Sequence, residues 1–286
     1  MITPFHDDGA IDYEVACEVA RHLVATGSDG IIVGGSTGEG SALSDDEKLT
    51  LFAAVAQAVT VPVLAGTGSS DTAHSVALTE KVAVTGVAGV LATTPSYSRP
   101  NQVGIAAHLR AMAQATPLPV MMYDIPSRTG RKIHADTTIA LVRQQKNIVA
   151  LKDASADLVS AAHTKAVLGD ALELYSGDDA LLLPFLAIGA VGVVSVAAHW
   201  AGPEFAGMIA AASRNDWAGA QLLNERVAAS CAFAGTEEYP NPRPTKAVLR
   251  AMGLPVGHCR LPMGRGDEVL DERAAAIVNE VRSQRV

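Results

Sequence analysis

The run Asn147-Ile148-Val149-Ala150-Leu151-Lys152 has the length and apolar character of one buried β-strand, and it ends on a cation. The next residues, Asp153-Ala154-Ser155, lead into a segment that is compatible with a helix. A lysine at such a strand end can simply extend its stem and keep its ammonium in water. Alternatively, burial removes water from the ammonium and lowers its pKa, by up to about 3–5 pKa units for full burial. Schiff-base chemistry with a carbonyl substrate requires a neutral amine, so Lys152 is a candidate catalytic residue.

Short runs rich in β-branched residues recur along the chain at intervals of about 20 to 33 residues, the length of a strand and a returning helix. They are Gly30–Val33, Val61–Ala65, Gly89–Thr93, Val120–Tyr123, Ile148–Lys152, Leu172–Ser176 and Gly192–Ser195. These runs are apolar throughout, as in parallel strands that are covered on both faces. Met1–Pro4 would be an eighth strand; because it is short, we expect that the natural chain begins further upstream. Eight strand–helix units favour an α/β fold of the (β/α)8 TIM-barrel type over an open doubly wound sheet.

Segments with helical apolar spacing lie between the strands, and only such segments follow Ser195. The spacing Ser44-Asp45-Asp46-Glu47 is that of a capping box and predicts where the first of these helices begins. Residues 1–200 are therefore predicted to form the barrel that carries the active site, and residues 201–286 a helical region packed on it. The predicted C-terminal helices are Pro203–Ser213, Asp216–Phe233, Pro244–Met252 and Asp267–Arg282.

Composition excludes several classes of protein. The net charge of −8, with no local Lys/Arg cluster, argues against a nucleic-acid-binding surface. Three widely spaced cysteines without a CxxC pattern fit a reducing cytoplasm better than a disulfide framework or a zinc site. No apolar stretch approaches the roughly 20 residues of a membrane span, and no export signal is recognisable at the N-terminus. We expect a cytoplasmic protein without a metal and with a small-molecule substrate.

In a barrel of this type the active site lies at the C-terminal ends of the strands. The loop Gly34-Gly35-Ser36-Thr37-Gly38-Glu39-Gly40 follows one such end and could hold a carboxylate or phosphate through its N–H groups, or be a plain turn. Tyr123 closes another strand and is either a core-edge tyrosine or a hydroxyl at the barrel mouth. Arg128, in a loop of Ser, Thr and Gly, suits bidentate capture of a carboxylate better than a solvated surface position. Asp178 and Asp179 are interpreted as caps of the following helix.

Four motifs together resemble the dihydrodipicolinate synthase/N-acetylneuraminate lyase family. They are Gly35-Ser36-Thr37-Gly38-Glu39, Tyr123-Asp124-Ile125-Pro126, Lys152-Asp153-Ala154 and Ser176-Gly177-Asp178-Asp179, and the match runs in the family's order from Thr3-Pro4-Phe5 to Lys246. Members are class I, Schiff-base pyruvate lyases on (β/α)8 barrels, and they usually assemble as homotetramers built from tight dimers. They use no cofactor, because the covalent Schiff base between lysine and pyruvate supplies the chemistry.

The resemblance implies the catalytic roles. Lys152 would form the imine with the keto group of pyruvate, and Tyr123 would be the acid/base beside that imine. Ser36 would belong to the same proton relay, and Tyr97 would complete the relay from the partner subunit of the dimer. This is chemically coherent, since imine formation needs proton removal from the amine and proton delivery to the departing hydroxyl.

The resemblance also implies the residues that bind substrate. Ser36 and Thr37 would hold the pyruvate carboxylate, and Gly177 and Val194 would line the pyruvate pocket through their backbone. Arg128 would bind the carboxylate of the second substrate, L-aspartate 4-semialdehyde, which condenses with pyruvate to 4-hydroxy-tetrahydrodipicolinate in lysine and diaminopimelate biosynthesis.

Two motifs resemble the synthase branch of the family, namely Arg128 within Pro126-Ser127-Arg128-Thr129-Gly130 and the segment Asn241-Pro242-Arg243-Pro244-Thr245-Lys246. Ser36 speaks against it, because synthases often carry two threonines at the positions of Ser36-Thr37. Aldolases and dehydratases that act on 2-keto-3-deoxy sugar acids or N-acetylneuraminate remain the alternative. An inactive binding or regulatory relative is a further alternative, which the presence of Lys152, Tyr123 and Tyr97 disfavours.

Overall fold

The computed structural model describes residues 1–285. Within them it contains seven β-strands and twelve α-helices. The strands are β1 (Ile31–Val33), β2 (Val63–Gly66), β3 (Gly89–Thr93), β4 (Val120–Asp124), β5 (Ile148–Asp153), β6 (Glu173–Ser176) and β7 (Gly192–Val193). The helices are α1 (Tyr13–Ala25), α2 (Asp45–Ala58), α3 (Thr72–Lys81), α4 (Gln102–Gln114), α5 (Pro126–Thr129), α6 (Ala135–Gln144), α7 (Leu158–Leu168), α8 (Leu182–Ala187), α9 (Ala198–Ser213), α10 (Trp217–Phe233), α11 (Arg243–Ala251) and α12 (Glu268–Ser283). The chain divides into two compact units, residues 1–63 with 196–285 (the first unit) and residues 64–195 (the second unit).

The second unit contains the parallel strands that carry most of the candidate residues. Neighbouring strands pair in chain order from β2 to β7. In register, Thr93 lies opposite Tyr123, Tyr123 opposite Lys152, and Lys152 opposite Tyr175. Because in-register side chains of parallel strands point to the same face, these residues form one row near the carboxyl ends of the strands. Asp124 opposite Asp153 begins the next row, whose side chains point to the other face.

Apolar residues of the strands and of one side of each helix form the core of the second unit. Val90, Leu91 and Met122 are almost completely buried, which agrees with strands that are covered on both faces. Helix α4 begins at Asn101, whose side chain accepts a hydrogen bond from the Gly104 amide (3.0 Å). It buries residues at helical spacing, namely Ile105, His108, Leu109 and Met112.

The first unit contains β1, which follows α1, and the helices that end the chain. The Ile31 amide of β1 donates to the Pro62 carbonyl (2.9 Å), just before β2 begins. Helix α2 starts with the predicted capping box, since Ser44 and Glu47 each accept a hydrogen bond from the other's backbone amide. The four predicted C-terminal helices are also present, as α9 to α12. Helix α9 begins at Ala198, five residues before the predicted start, and a non-helical Ala201 interrupts it before Pro203.

The prediction of a strand at Met1–Pro4 is wrong for hydrogen-bonding reasons. The Met1 ammonium donates to the Ile32 carbonyl (2.6 Å), but the next amide, that of Ile2, donates to Nε2 of His199 (3.1 Å). Pro4 has no N–H to continue a ladder. The segment therefore follows β1 without forming the repeated backbone pairing of a strand. Among residues 1–285, no helix is both long and apolar enough to cross a membrane.

Candidate active site

Lys152 lies near the carboxyl end of β5, in the centre of the row formed with Tyr123 and Tyr175. Its Nζ is 4.0 Å from the centroid of the Tyr123 ring. Loss of hydration lowers the pKa of Lys152 to about 8. The negative charge of Asp179 raises the pKa again in part, and the positive charge of Arg128 lowers it further. The amine is thus poised to lose its proton close to neutral pH, as a Schiff-base lysine must.

Asp179 is a site residue that the sequence interpretation missed. Only its neighbour Asp178 is the predicted cap, with Oδ1 accepting from the Ala180 amide (3.0 Å). Asp179 is buried, with 7% of its surface exposed, and its charge acts on the Lys152 amine. One signal for it is present in the sequence, since two adjacent acids at a strand end exceed what one helix cap needs.

Tyr123 and Arg128 lie on either side of the end of β4. Tyr123 has only 3% of its surface exposed, and its ring lies beneath the Lys152 amine. Arg128 lies in the short helix α5 and is exposed, contrary to the expectation of a shielded position. It is nevertheless close enough to Lys152 to influence the pKa of the amine. An exposed guanidinium beside a reactive amine is accessible to an incoming carboxylate.

Gly177 and Val194 follow the ends of β6 and β7. The Gly177 amide donates to the Asp153 carbonyl (2.7 Å), and the Val194 amide donates to the Ser176 carbonyl (2.8 Å). A Cβ atom on Gly177 would lie 2.8 Å from the Cβ of Ala154. Only glycine permits the loop after β6 to approach β5 so closely. The backbone of Gly177 is therefore held by β5, the strand that carries Lys152, and that of Val194 by the neighbouring strand β6.

Tyr97 is placed differently from the other candidates of the second unit. It is 96% exposed and has a φ of 67°, in the left-handed region that non-glycine residues rarely adopt. The neighbouring Ser96 Oγ lies 2.8 Å from Ser70 Oγ, which ties the loop to the segment that follows β2. The loop thus projects the tyrosine outward from its own chain.

Two buried carboxyl groups, Asp124 and Asp153, lie on the opposite face of the strands from Lys152 and were also missed. Burial raises the pKa of both, and that of Asp124 rises to about 7. The Ile133 amide donates to Asp124 (3.1 Å), and the Ser155 amide donates to Asp153 (2.8 Å). These bonds tie the loops after β4 and β5 to the strand ends.

In the first unit, Ser36 and Thr37 lie half-buried in the loop that follows β1. The Glu39 amide donates to the Ser36 carbonyl (3.1 Å), which closes the loop on itself. Asn241 Nδ2 donates to Oγ1 of Thr37 (2.8 Å). A Cβ atom on Gly40 would lie 2.0 Å from the Gly34 carbonyl oxygen, so the loop requires glycine there.

Comparison with known proteins places this arrangement in a family. A profile of the dihydrodipicolinate synthetase family matches residues 1–281. The chain belongs to this family. It is 43% identical to the 4-hydroxy-tetrahydrodipicolinate synthase of Symbiobacterium thermophilum over 282 residues, which cover 98% of the chain and 95% of the relative. It is 46% identical to the enzyme of the same name from a Synechococcus species over 268 residues, which cover 92% of the chain and 87% of the relative.

A solved structure of a dihydrodipicolinate synthase from Cyanidioschyzon merolae, with lysine bound, is similar to the chain with a TM-score of 0.95. The two are 40% identical, and the match covers 99% of this chain and 96% of the other. These relatives confirm three predictions: the family, the (β/α)8 barrel with C-terminal helices, and the activity of a lyase of the synthase branch. The boundary at residue 200 and the roles of individual residues stay predictions.

Proposed function

We propose that this member of the family condenses pyruvate with L-aspartate 4-semialdehyde to 4-hydroxy-tetrahydrodipicolinate through an imine at Lys152. The observation that carries the proposal is the amine of Lys152, whose pKa falls to about 8 beside the buried Tyr123. A neutral amine attacks the keto carbon of pyruvate, and loss of water gives the imine. The protonated imine then accepts electrons when the pyruvate methyl group loses a proton. The resulting enamine attacks the aldehyde carbon. The amino group of aspartate semialdehyde then displaces the Lys152 amine from the imine carbon, which closes the ring and frees the lysine, so no other cofactor is needed.

Imine formation requires proton transfer at two atoms. The amine nitrogen must lose a proton, and the hydroxyl of the carbinolamine must receive one before it leaves as water. We assign both steps to the hydroxyl of Tyr123, and the position of its ring under the Lys152 nitrogen supports this assignment. Ser36 and the Tyr97 of a partner subunit extend the relay, and the outward projection of Tyr97 from its own chain supports this assignment.

Pyruvate is bound through its carboxylate by the hydroxyl groups of Ser36 and Thr37. The backbone around Gly177 and Val194 lines the pocket, and the close approach of Gly177 to β5 supports that role. Arg128 binds the carboxylate of aspartate semialdehyde as a bidentate pair. Its exposure favours a substrate that arrives after pyruvate is already covalently bound.

The proposed role of Tyr97 supports assembly at least as a dimer. A site that takes Tyr97 from a second copy of the chain is complete only in a dimer, and we propose a homotetramer of two such dimers in the cytoplasm.

A coupled assay tests the proposal. Purified protein is supplied with pyruvate and aspartate semialdehyde, and product formation is compared with cleavage of a 2-keto-3-deoxy sugar acid and of N-acetylneuraminate. We expect turnover with the first pair, none in Lys152→Ala, and full turnover in the control Lys165→Ala, whose amine donates to the Gly169 and Leu172 carbonyls instead. Preference for either sugar acid would overturn the proposed substrate, and activity of Lys152→Ala would overturn the mechanism.

A further inference from the structure

The segment Asn241–Lys246, which precedes and begins α11, holds the loop after β1 at two points. At one point, Asn241 Nδ2 donates to Thr37 Oγ1 (2.8 Å). At the other, Lys246 Nζ lies 2.7 Å from Oε1 of Glu39, and both side chains are buried. The ion pair fixes the position of the loop, whereas the side-chain amide of Asn241 contacts the hydroxyl of Thr37, one of the two proposed substrate-binding residues.

The direction of the Asn241–Thr37 hydrogen bond determines what the hydroxyl can do next. A threonine hydroxyl has a single hydrogen to donate, together with lone pairs that accept. Because the Asn241 amide donates to the Thr37 oxygen, the hydrogen of Thr37 is left for another acceptor. A substrate carboxylate is an acceptor only, so it can bind Thr37 in this state and not in the reverse state.

A second hydrogen bond contacts the other end of the Asn241 amide. The Thr245 hydroxyl donates to Oδ1 of Asn241 (3.1 Å), and Thr245 is completely buried. In this arrangement the amide oxygen faces Thr245 and the amide nitrogen faces Thr37. Hydrogen bonds thus run in one direction from Thr245 through Asn241 to Thr37.

We propose that Asn241 is a positioning residue that orients the Thr37 hydroxyl as a donor toward the carboxylate of pyruvate. The proposal rests on the proposed function, in which Thr37 binds that carboxylate. Asn241 acts through Thr37 and not on the reacting carbon, so it governs the affinity for pyruvate more than the chemical step. A donor-oriented hydroxyl favours substrates that present a hydrogen-bond acceptor at this point over those that present only donors.

The first test is a double-mutant cycle with Asn241→Leu and Thr37→Val, read as KM for pyruvate. Asn241→Leu alone should raise this KM by about tenfold and leave the KM for aspartate semialdehyde unchanged, since one oriented hydrogen bond to a charged group is lost. In the Thr37→Val background the same substitution should have no further effect. An equal rise in both backgrounds would show that Asn241 does not act through Thr37.

The second test reverses the hydrogen bond with Asn241→Asp, which keeps the shape of the side chain. An ionised carboxylate accepts the Thr37 hydrogen and turns the hydroxyl's lone pairs toward pyruvate, so we expect a rise in KM of about a hundredfold at pH 8. Protonation of the introduced carboxyl restores a donor, so the ratio of its KM to that of the unsubstituted protein should fall at lower pH. A ratio that is constant with pH would contradict the proposal, and this variant remains informative if Asn241→Leu does not fold.

Thr3→Val is the matched control. It removes another hydroxyl that holds the same loop, since Thr3 Oγ1 donates to the Gly38 carbonyl (2.6 Å), but it does not touch Thr37. It should lower the melting temperature without the pH-dependent change in KM. If all Asn241 variants keep a normal KM while pyruvate is still trapped on Lys152, this inference is wrong and the proposed function stands. If pyruvate is not trapped on Lys152 even in the unsubstituted protein, the proposed function is wrong.

Discussion

Replacing Asp179 with asparagine should make Lys152 more reactive toward pyruvate at neutral pH, although it removes an acid from the candidate site. The charge of Asp179 raises the pKa of Lys152 against the effect of burial. Without that charge, burial and the nearby Arg128 act together, and the pKa falls below about 8. The acidic limb of the pH profile for imine formation should therefore move to lower pH.

The expected increase in the reactivity of Lys152 at pH 7 has an upper limit. A pKa of about 8 leaves roughly one tenth of the amine neutral at pH 7, against about one part in three thousand for an ordinary lysine. A further fall of one pKa unit would bring the neutral fraction to about one half. Since the fraction cannot exceed one, the gain at pH 7 is at most about tenfold and vanishes above about pH 9. Arg128→Ala should have the opposite effect, because the positive charge that lowers the pKa is lost.

The assay is the single-turnover rate of imine formation with pyruvate, measured from pH 5 to 10. Asp178→Asn is the control, because it removes the same charge from the adjacent residue, which is exposed and caps the short helix after β6. Only Asp179→Asn should shift the acidic limb. An upward shift, or equal shifts in both variants, would refute the assignment of Asp179 as the residue that opposes the deprotonation of Lys152.

Mixing Tyr97→Phe with Lys152→Ala protomers should restore part of the activity that each variant lacks, because one site of a mixed dimer then contains both Lys152 and Tyr97. No restored activity in mixed dimers verified by mass spectrometry would mean that each site is built within one chain. Asp124→Asn should raise the melting temperature at pH 8 and leave it unchanged near pH 4. Burial raises the pKa of Asp124 in the folded state to about 7, so the folded protein loses stability as the pH rises from about 4 to 7. The neutral amide avoids this loss, and its oxygen still accepts from the Ile133 amide. An equal change at both pH values would contradict that linkage. Lys246→Ala should lower the free energy of unfolding by about 3–5 kcal/mol in urea titrations, because it leaves Glu39 buried without its cation; a loss below about 1 kcal/mol would show that water replaces the amine.

The strands could be predicted from the sequence because burial on both faces leaves a continuous apolar run. The predicted strand Gly89–Thr93 has the bounds of β3, and the predicted strand Ile148–Lys152 differs from β5 only by the absence of Asp153. The prediction of a strand at Met1–Pro4 is wrong because composition shows that a segment is apolar but does not show which acceptors its backbone amides bind. In Met1–Pro4 one amide is bound by a histidine almost two hundred residues away.

Lys152 could be identified from the sequence because a charged side chain at the end of a continuous apolar run is unexpected in a buried strand. Asp179 could not, since a helix cap explains an acid after a strand equally well. Only the structure shows that Asp179 is buried and that its charge acts on the Lys152 amine. Asn241 belongs to a motif that resembles the family, but its contact with Thr37 joins residues 204 positions apart and has no local signal.

Reductive trapping tests the central claim most directly. The protein is incubated with pyruvate, reduced with borohydride, digested and analysed by mass spectrometry. The account predicts one reduced pyruvyl adduct, located on Lys152, and none in Lys152→Ala. An adduct on another lysine, or none at all in protein that condenses pyruvate with the aldehyde, would contradict it.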